Sequence, residues 1–122
     1  MIRFRYLVND VDEAVEFYTS NLGFQVLQQF GPAIAILERD GVNVIISGPK
    51  ASAGQPMPDG AIPSPGGWNR IIVSVDDIES YVSRLKENGV QFKNDILSGP
   101  GGKQILCVDP SGNVVEIMQP AQ

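Results

Sequence analysis

The chain has 122 residues, of which 43% are apolar and 19% charged, and a formal net charge of −5. That length suits one domain, or two small modules sharing a core, and suffices for folding without disulfide or metal staples. The nine basic residues form no run, which excludes a phosphate-tracking nucleic-acid binder, and the lone Cys107 excludes an intrachain disulfide.

In chain order, Ile2–Val8 (IRFRYLV) is rich in strand formers and reads as a strand. The stretch DVDEAVEFYTSNLGF follows, where Asp10 with Glu13 three residues on resembles a capping box. Val11, Ala14, Val15, Tyr18 and Leu22 recur at helical spacing, and Asn21 with Gly23 supplies the stop. FQVLQQF, AIAILER and VNVIISG predict three more strands, separated by turns at Gly31-Pro32 and Asp40-Gly41. Tyr6 and Tyr18 are expected in the core.

The second half repeats the plan. WNRIIVSV predicts a strand, and DDIESYVSRLKENGV a helix with Asp76 and Glu79 at its cap. VQFKND, KQILCV and VVEIMQ read as strands, the last two joined by a turn over residues 109–112. Sliding the chain by 67 residues lays Asp10 on Asp77, Val11 on Ile78, Val15 on Val82, Tyr18 on Leu85, and Arg3 on Arg70. Two modules with the same order of elements are therefore expected: module one over 1–47 and module two over 68–120.

Between them, residues 48–67 hold five prolines and five glycines in twenty positions. Such a segment cannot form a regular helix. It reads either as a solvated linker or as an ordered flap over a cavity, anchored by Met57, Ile62 and Trp68. The glycine-rich stretch 94–103 lacks the spacing of a phosphate-binding loop and reads as a tight connection, with Asn94 and Asp95 at a cavity mouth. Cys107 reads as a small buried core residue. No basic-then-apolar leader opens the sequence, and no apolar run approaches the roughly 18 residues of a membrane span. No membrane partner and a cytoplasmic location are expected.

The paired modules, the matching segments DVDEAVEFYTSNLGF and DDIESYVSRLKENGVQF, and DPSGNVVEI near the C-terminus resemble the glyoxalase, bleomycin-resistance and extradiol-dioxygenase superfamily, also called vicinal oxygen chelate. The resemblance spans nearly the whole chain. It implies an α+β fold of two paired βαβββ modules forming half-barrels around a cavity, often in a homodimer. Many members hold a divalent metal there with side chains from the first and last strand of each module.

Carried over residue by residue, the first-strand metal positions fall on Arg3 and Arg70, each seven residues before the aspartate that opens a helix. Glu116 matches the last-strand glutamate, and its counterpart in module one falls on Asn43 or Ile45, with no acid in that run. A divalent ion takes three or four N, O or S donors, whereas arginine offers five N–H groups and no lone pair. No metal and no other cofactor are therefore expected, and Glu116 should instead face Arg70, Arg3 or both in a charge-assisted, bidentate pair. That pair either replaces a lost metal site structurally or leaves an arginine partly free to hold a ligand.

Period-two alternation puts Arg3 with Arg5, Arg70 with Ile72 and Ser74, and Gln104 with Leu106 on common faces. The expected ligand-binding set is Arg3, Arg5, Trp68, Asn69, Arg70, Gln104, Leu106 and Glu116. Arg5 could alternatively extend to the rim, and Trp68 could pack between the modules. The function this supports is metal-independent binding of a small molecule, anionic or aromatic, in a sequestering or resistance role. The alternative is a lyase, isomerase or dioxygenase-type enzyme, with a non-standard metal site or with Glu116 as base and an arginine stabilising an oxyanion.

Overall fold

The computed structural model describes all 122 residues, which divide into two compact units. The first comprises residues 1–66 with the short turn 110–113, and the second residues 67–109 and 114–122. Both are α+β.

In the first unit, β1 (Phe4–Leu7) is followed by α1 (Val11–Leu22) and by β2 (Gln25–Phe30), β3 (Ile34–Arg39) and β4 (Val42–Ser47). The sheet order is β1-β4-β3-β2, with β1 parallel to β4 and the other pairs antiparallel. Asp10 opens α1 by accepting a hydrogen bond from the Glu13 amide at 2.9 Å. Gly23 closes it in the left-handed region, at φ 71°. Asn21 is not part of the stop; it lies inside the helix and is buried. The apolar face of α1 packs on β2, β3 and β4 through Tyr18, which is fully buried and meets Tyr6, Phe17 and Phe24 at centroid distances of 5.1–6.1 Å. Asp40 and Gly41, both with positive φ, form the two-residue turn between β3 and β4 that a right-twisted hairpin requires.

The second unit holds β5 (Ile71–Ser74), α2 (Ile78–Glu87), β6 (Gln91–Phe92), β7 (Leu97–Gly99), β8 (Gly102–Val108) and β9 (Val114–Pro120). Its five-stranded sheet has the order β5-β9-β8-β6, with β7 also on β8. Asp77, not Asp76, caps α2, accepting from the Ser80 amide at 3.2 Å. Ile78, Val82 and Leu85 of α2 are buried, as are Ile71, Val73, Ile105, Cys107, Val115 and Ile117 of the sheet. Alternation leaves the opposite face to Ile72, Ser74, Gln104, Leu106, Glu116 and Met118.

Two local expectations are corrected. The strand read from Trp68 begins only at Ile71, so Trp68, Asn69 and Arg70 lead into it. The connection 94–103 contains the short strand β7, which sequence periodicity could not reveal in the triplet Leu97-Ser98-Gly99. Asn94 Oδ1 accepts from the Leu106 amide at 3.0 Å, replacing a strand partner where β6 has ended.

The proline-rich segment is ordered by its own short-range bonds. A single 3-10 turn spans Ser52–Gly54, Gln55 Nε2 donates to the Pro49 and Ala51 carbonyls, and the Met57 amide donates to the Ala61 carbonyl at 2.7 Å. Its end is tied to the 110–113 turn of the same unit, where Asn113 accepts from the Gly66 amide and donates to the Leu7 carbonyl. Met57, Ile62 and Trp68 do not anchor it, because all three are exposed. No helix is long and apolar enough to cross a membrane.

Candidate functional site

Glu116 lies at the centre of the second sheet's open face. On β9 it is registered opposite Ile72 of β5 on one side and Leu106 of β8 on the other. Only 4% of its surface is exposed, an environment in which a carboxylate needs a partner. Arg70 supplies it, entering β5 one residue before the ladder starts. Its Nε donates to Glu116 Oε1 at 3.0 Å, and its Nη2 lies 2.9 Å from the same oxygen. The third nitrogen, Nη1, donates to the Trp68 carbonyl at 3.1 Å. All three guanidinium nitrogens are thus engaged, with one N–H left on each of Nη1 and Nη2.

The pair differs from the two-oxygen fork expected from arginine and carboxylate. Both arginine contacts fall on Oε1, and Oε2 has no hydrogen bond or ion pair within the protein. No buried side-chain polar atom lacks a partner, so this oxygen is one that solvent or a ligand can reach. One acceptor therefore remains available on an otherwise enclosed side chain.

The remaining expected residues are placed as follows. Gln104 is exposed and Leu106 half-buried, both on the open face. Gln104 is registered opposite Met118, which follows Glu116 by two residues on β9, a step of about 7 Å. Gln104, Met118, Leu97 and the turn Gly99–Gly102 line a cleft of about 410 Å³. The turn can lie this close because Gly102, at φ 124°, has no Cβ to collide with the Gln119 carbonyl and the Ala121 amide. Trp68 and Asn69 are exposed, and the Lys93 ammonium sits 5.0 Å from the Trp68 ring centroid.

Arg3 and Arg5 belong to the first unit. Arg3 is exposed and makes no hydrogen bond or ion pair. Arg5 donates from Nη1 to the buried Ser47 hydroxyl at 2.7 Å, a neutral partner rather than a carboxylate. Opposite Arg5 on β4 stands Ile45, the ladder position that Glu116 holds opposite Ile72. Of the two residues expected at that place, Ile45 therefore occupies it.

These donors do not fit a divalent ion. Glu116 is a single carboxylate whose Oε1 is held by a guanidinium, and the corresponding place on β4 is a hydrocarbon. No three His, Cys, Asp or Glu side chains are gathered where they could share an ion. Cys107 offers no nucleophile either. Burial first, and then the charge of Asp109, push its thiol up to about 12.

Sequence reasoning missed Lys93, Leu97 and Met118. Met118 had a signal, since it follows Glu116 at the strand period. Lys93 had none, because its approach to Trp68 crosses from another segment.

A search of curated protein sequences finds no match. Among solved structures, a lactoylglutathione lyase from Agrobacterium tumefaciens superposes with a TM-score of 0.75 at 17% identity, covering 98% of this chain and 92% of that one. TnmS3, an antibiotic-binding protein from Streptomyces sp. CB03234, gives 0.71 at 24%, covering 99% and 97%. A glyoxalase/bleomycin resistance protein/dioxygenase superfamily member from Sphaerobacter thermophilus gives 0.73 at 25%, covering 98% and 97%. The two less identical structures show a shared fold only. The family model described as Glyoxalase/Bleomycin resistance protein/Dioxygenase superfamily matches residues 1–117. With a βαβββ order that recurs in the second unit with one added short strand, β7, and an acid on its last strand, the chain belongs to that superfamily.

Proposed function

We propose that the protein binds a small organic molecule on the open face of its second sheet, without a divalent metal. The ligand would seat in the cleft lined by the 97–102 turn, Gln104 and Met118, and reach along the same face to the Arg70–Glu116 pair. One observation carries the reading: at the strand position where the resemblance puts a metal-binding glutamate, Glu116 is ion-paired to Arg70, two residues before Met118, which lines a largely apolar cleft on the same sheet face. A mostly apolar depression with a few convergent polar groups is the usual form of a ligand site. In this arrangement Leu97, Leu106 and Met118 supply apolar contact, and the Gln104 amide offers both a donor and an acceptor. Glu116 Oε2 accepts a hydrogen bond, and Arg70 presents positive charge. Sequestration needs nothing more, and TnmS3 gives a precedent for antibiotic binding on this fold.

The reading is tested with an NMR fragment screen on nitrogen-15-labelled protein. Binding fragments should shift the amides of Gln104, Leu106, Glu116 and Met118 together. Arg70→Ala should weaken the anionic ones by about 1.5–3 kcal/mol, the range of a hydrogen bond to a charged group. Unchanged affinity in a variant with an otherwise intact spectrum would contradict a pocket centred on the arginine.

We infer a homodimer as well. Ile72 and Leu97 in the second unit, and Phe4 and Phe30 in the first, are large apolar side chains at least 45% exposed, the kind of surface that a partner covers. Sedimentation velocity should give twice the 13.2 kDa chain mass, and a single 13.2 kDa species would refute the dimer.

A further inference from the structure

Lys93 is the cation of the second unit that the site described above leaves unused. Its ammonium lies 5.0 Å from the centroid of Trp68, over a ring that remains 67% exposed. It makes no ion pair, whereas the other cation near Trp68, Arg70, is matched by Glu116. The three charges Arg70, Lys93 and Glu116 therefore leave one positive charge in excess, on a chain whose formal net charge is −5. The backbone fixes where that charge sits. The Lys93 amide donates to the Leu106 carbonyl at 2.9 Å, and Leu106 is registered opposite Glu116. Across the sheet, the Arg70 guanidinium that holds Glu116 also donates to the Trp68 carbonyl, which puts the Trp68 backbone on the other side of the same carboxylate. The exposed indole and the unpaired ammonium thus meet from backbones that stand on either side of Glu116.

We propose that Trp68 and Lys93 form a platform selecting a planar aromatic acid, with Lys93 as the specificity-determining residue. The proposal rests on the binding role assigned to this face and adds the class of ligand. An aromatic body covers the indole, and its carboxylate takes the ammonium that no protein acid holds. A neutral aromatic of the same shape would gain the first contact and forgo the second. A cationic one would meet like charge at Lys93. A lysine resting on an aromatic ring is held by a modest attraction when exposed to water, so a carboxylate can replace it as partner.

Trp68 is the sole tryptophan, so its emission reports binding without a label. The probes are 2-naphthoate and the isosteric neutral 2-naphthamide, titrated against wild type, Lys93→Gln and Arg70→Met. Saturable quenching is expected for both, with the carboxylate at least tenfold tighter in wild type. In Lys93→Gln that preference should fall below twofold, with naphthamide affinity unchanged. A preference that survives Lys93→Gln overturns the assignment to Lys93. If it is lost only in Arg70→Met, the acid is read by the arginine, and the binding face stands without the platform. No saturable quenching by either probe overturns the platform itself. Failure of the broader reading has a separate mark: no fragment of any charge shifts the amides of Gln104 and Glu116.

Discussion

The two units share one plan but differ in strand number, four against five, and at one rung of the sheet beside the first strand. In each, a strand preceded by an arginine runs parallel to the last strand, and a capped helix covers one face. At the rung beside the first strand, the first unit places Ile45 and the second Glu116. The cations differ with it: Arg3, the counterpart of Arg70, is exposed and makes no ion pair. Arg5 finishes on the Ser47 hydroxyl, while Arg70 closes on a carboxylate that is almost wholly buried. The cores differ too, with α1 gathering Tyr6, Phe17, Tyr18 and Phe24 where α2 uses Ile78, Val82 and Leu85. The same scaffold therefore tolerates a hydrocarbon or an ion pair at equivalent places, and only the second arrangement leaves a carboxylate oxygen without a partner in the protein.

The comparison predicts its own largest effect. Arg70→Met strands Glu116 without a partner and should cost about 2–4 kcal/mol, somewhat below a fully enclosed pair because Arg70 is partly exposed. The double variant Arg70→Met/Glu116→Ile places the first unit's hydrocarbon at 116 with no cation to match and should return to within about 1 kcal/mol of wild type. Chemical denaturation measures both. Equal losses in the single and double variants would mean that the carboxylate does not need the arginine, and the contrast between the units would dissolve.

A smaller effect concerns Cys107, on the face of the second sheet away from the cleft. Its thiol is raised by burial from 9.0 to about 12. The folded protein therefore keeps the proton that the unfolded chain releases, so stability falls as pH rises from 9 towards 12. Cys107→Ala should flatten that alkaline slope in denaturation curves. The native thiol should also resist maleimide at pH 8 on a timescale set by unfolding, and fast labelling would show the sheet to be open there.

Much of this architecture was legible because local signals were strong. Asp10 and Asp77 each precede a 3.6-residue apolar pattern, and strand parity alone put Arg70 with Ile72, and Gln104 with Leu106, on their common faces. The acid in an apolar run at Glu116 was the clearest pointer to the site. What stayed hidden depends on contacts between distant segments. Leu97-Ser98-Gly99 has no period from which to read a strand, and it becomes one only because β8 is there to pair with it. Lys93 gains meaning from Trp68, 25 residues earlier. The choice of Asp77 over Asp76 as cap is a one-residue matter that neighbouring aspartates cannot decide in sequence.

The central claim is that Glu116 belongs to Arg70 and not to a metal. Elemental analysis tests it most directly, on protein purified without chelator, incubated in turn with zinc, iron, manganese and nickel, and then desalted. Retention below about one ion per ten chains is expected for every metal, since one paired carboxylate cannot supply the three or four donors required. Retention near one ion per chain that is lost in Glu116→Gln would contradict the account and make Glu116 a metal ligand.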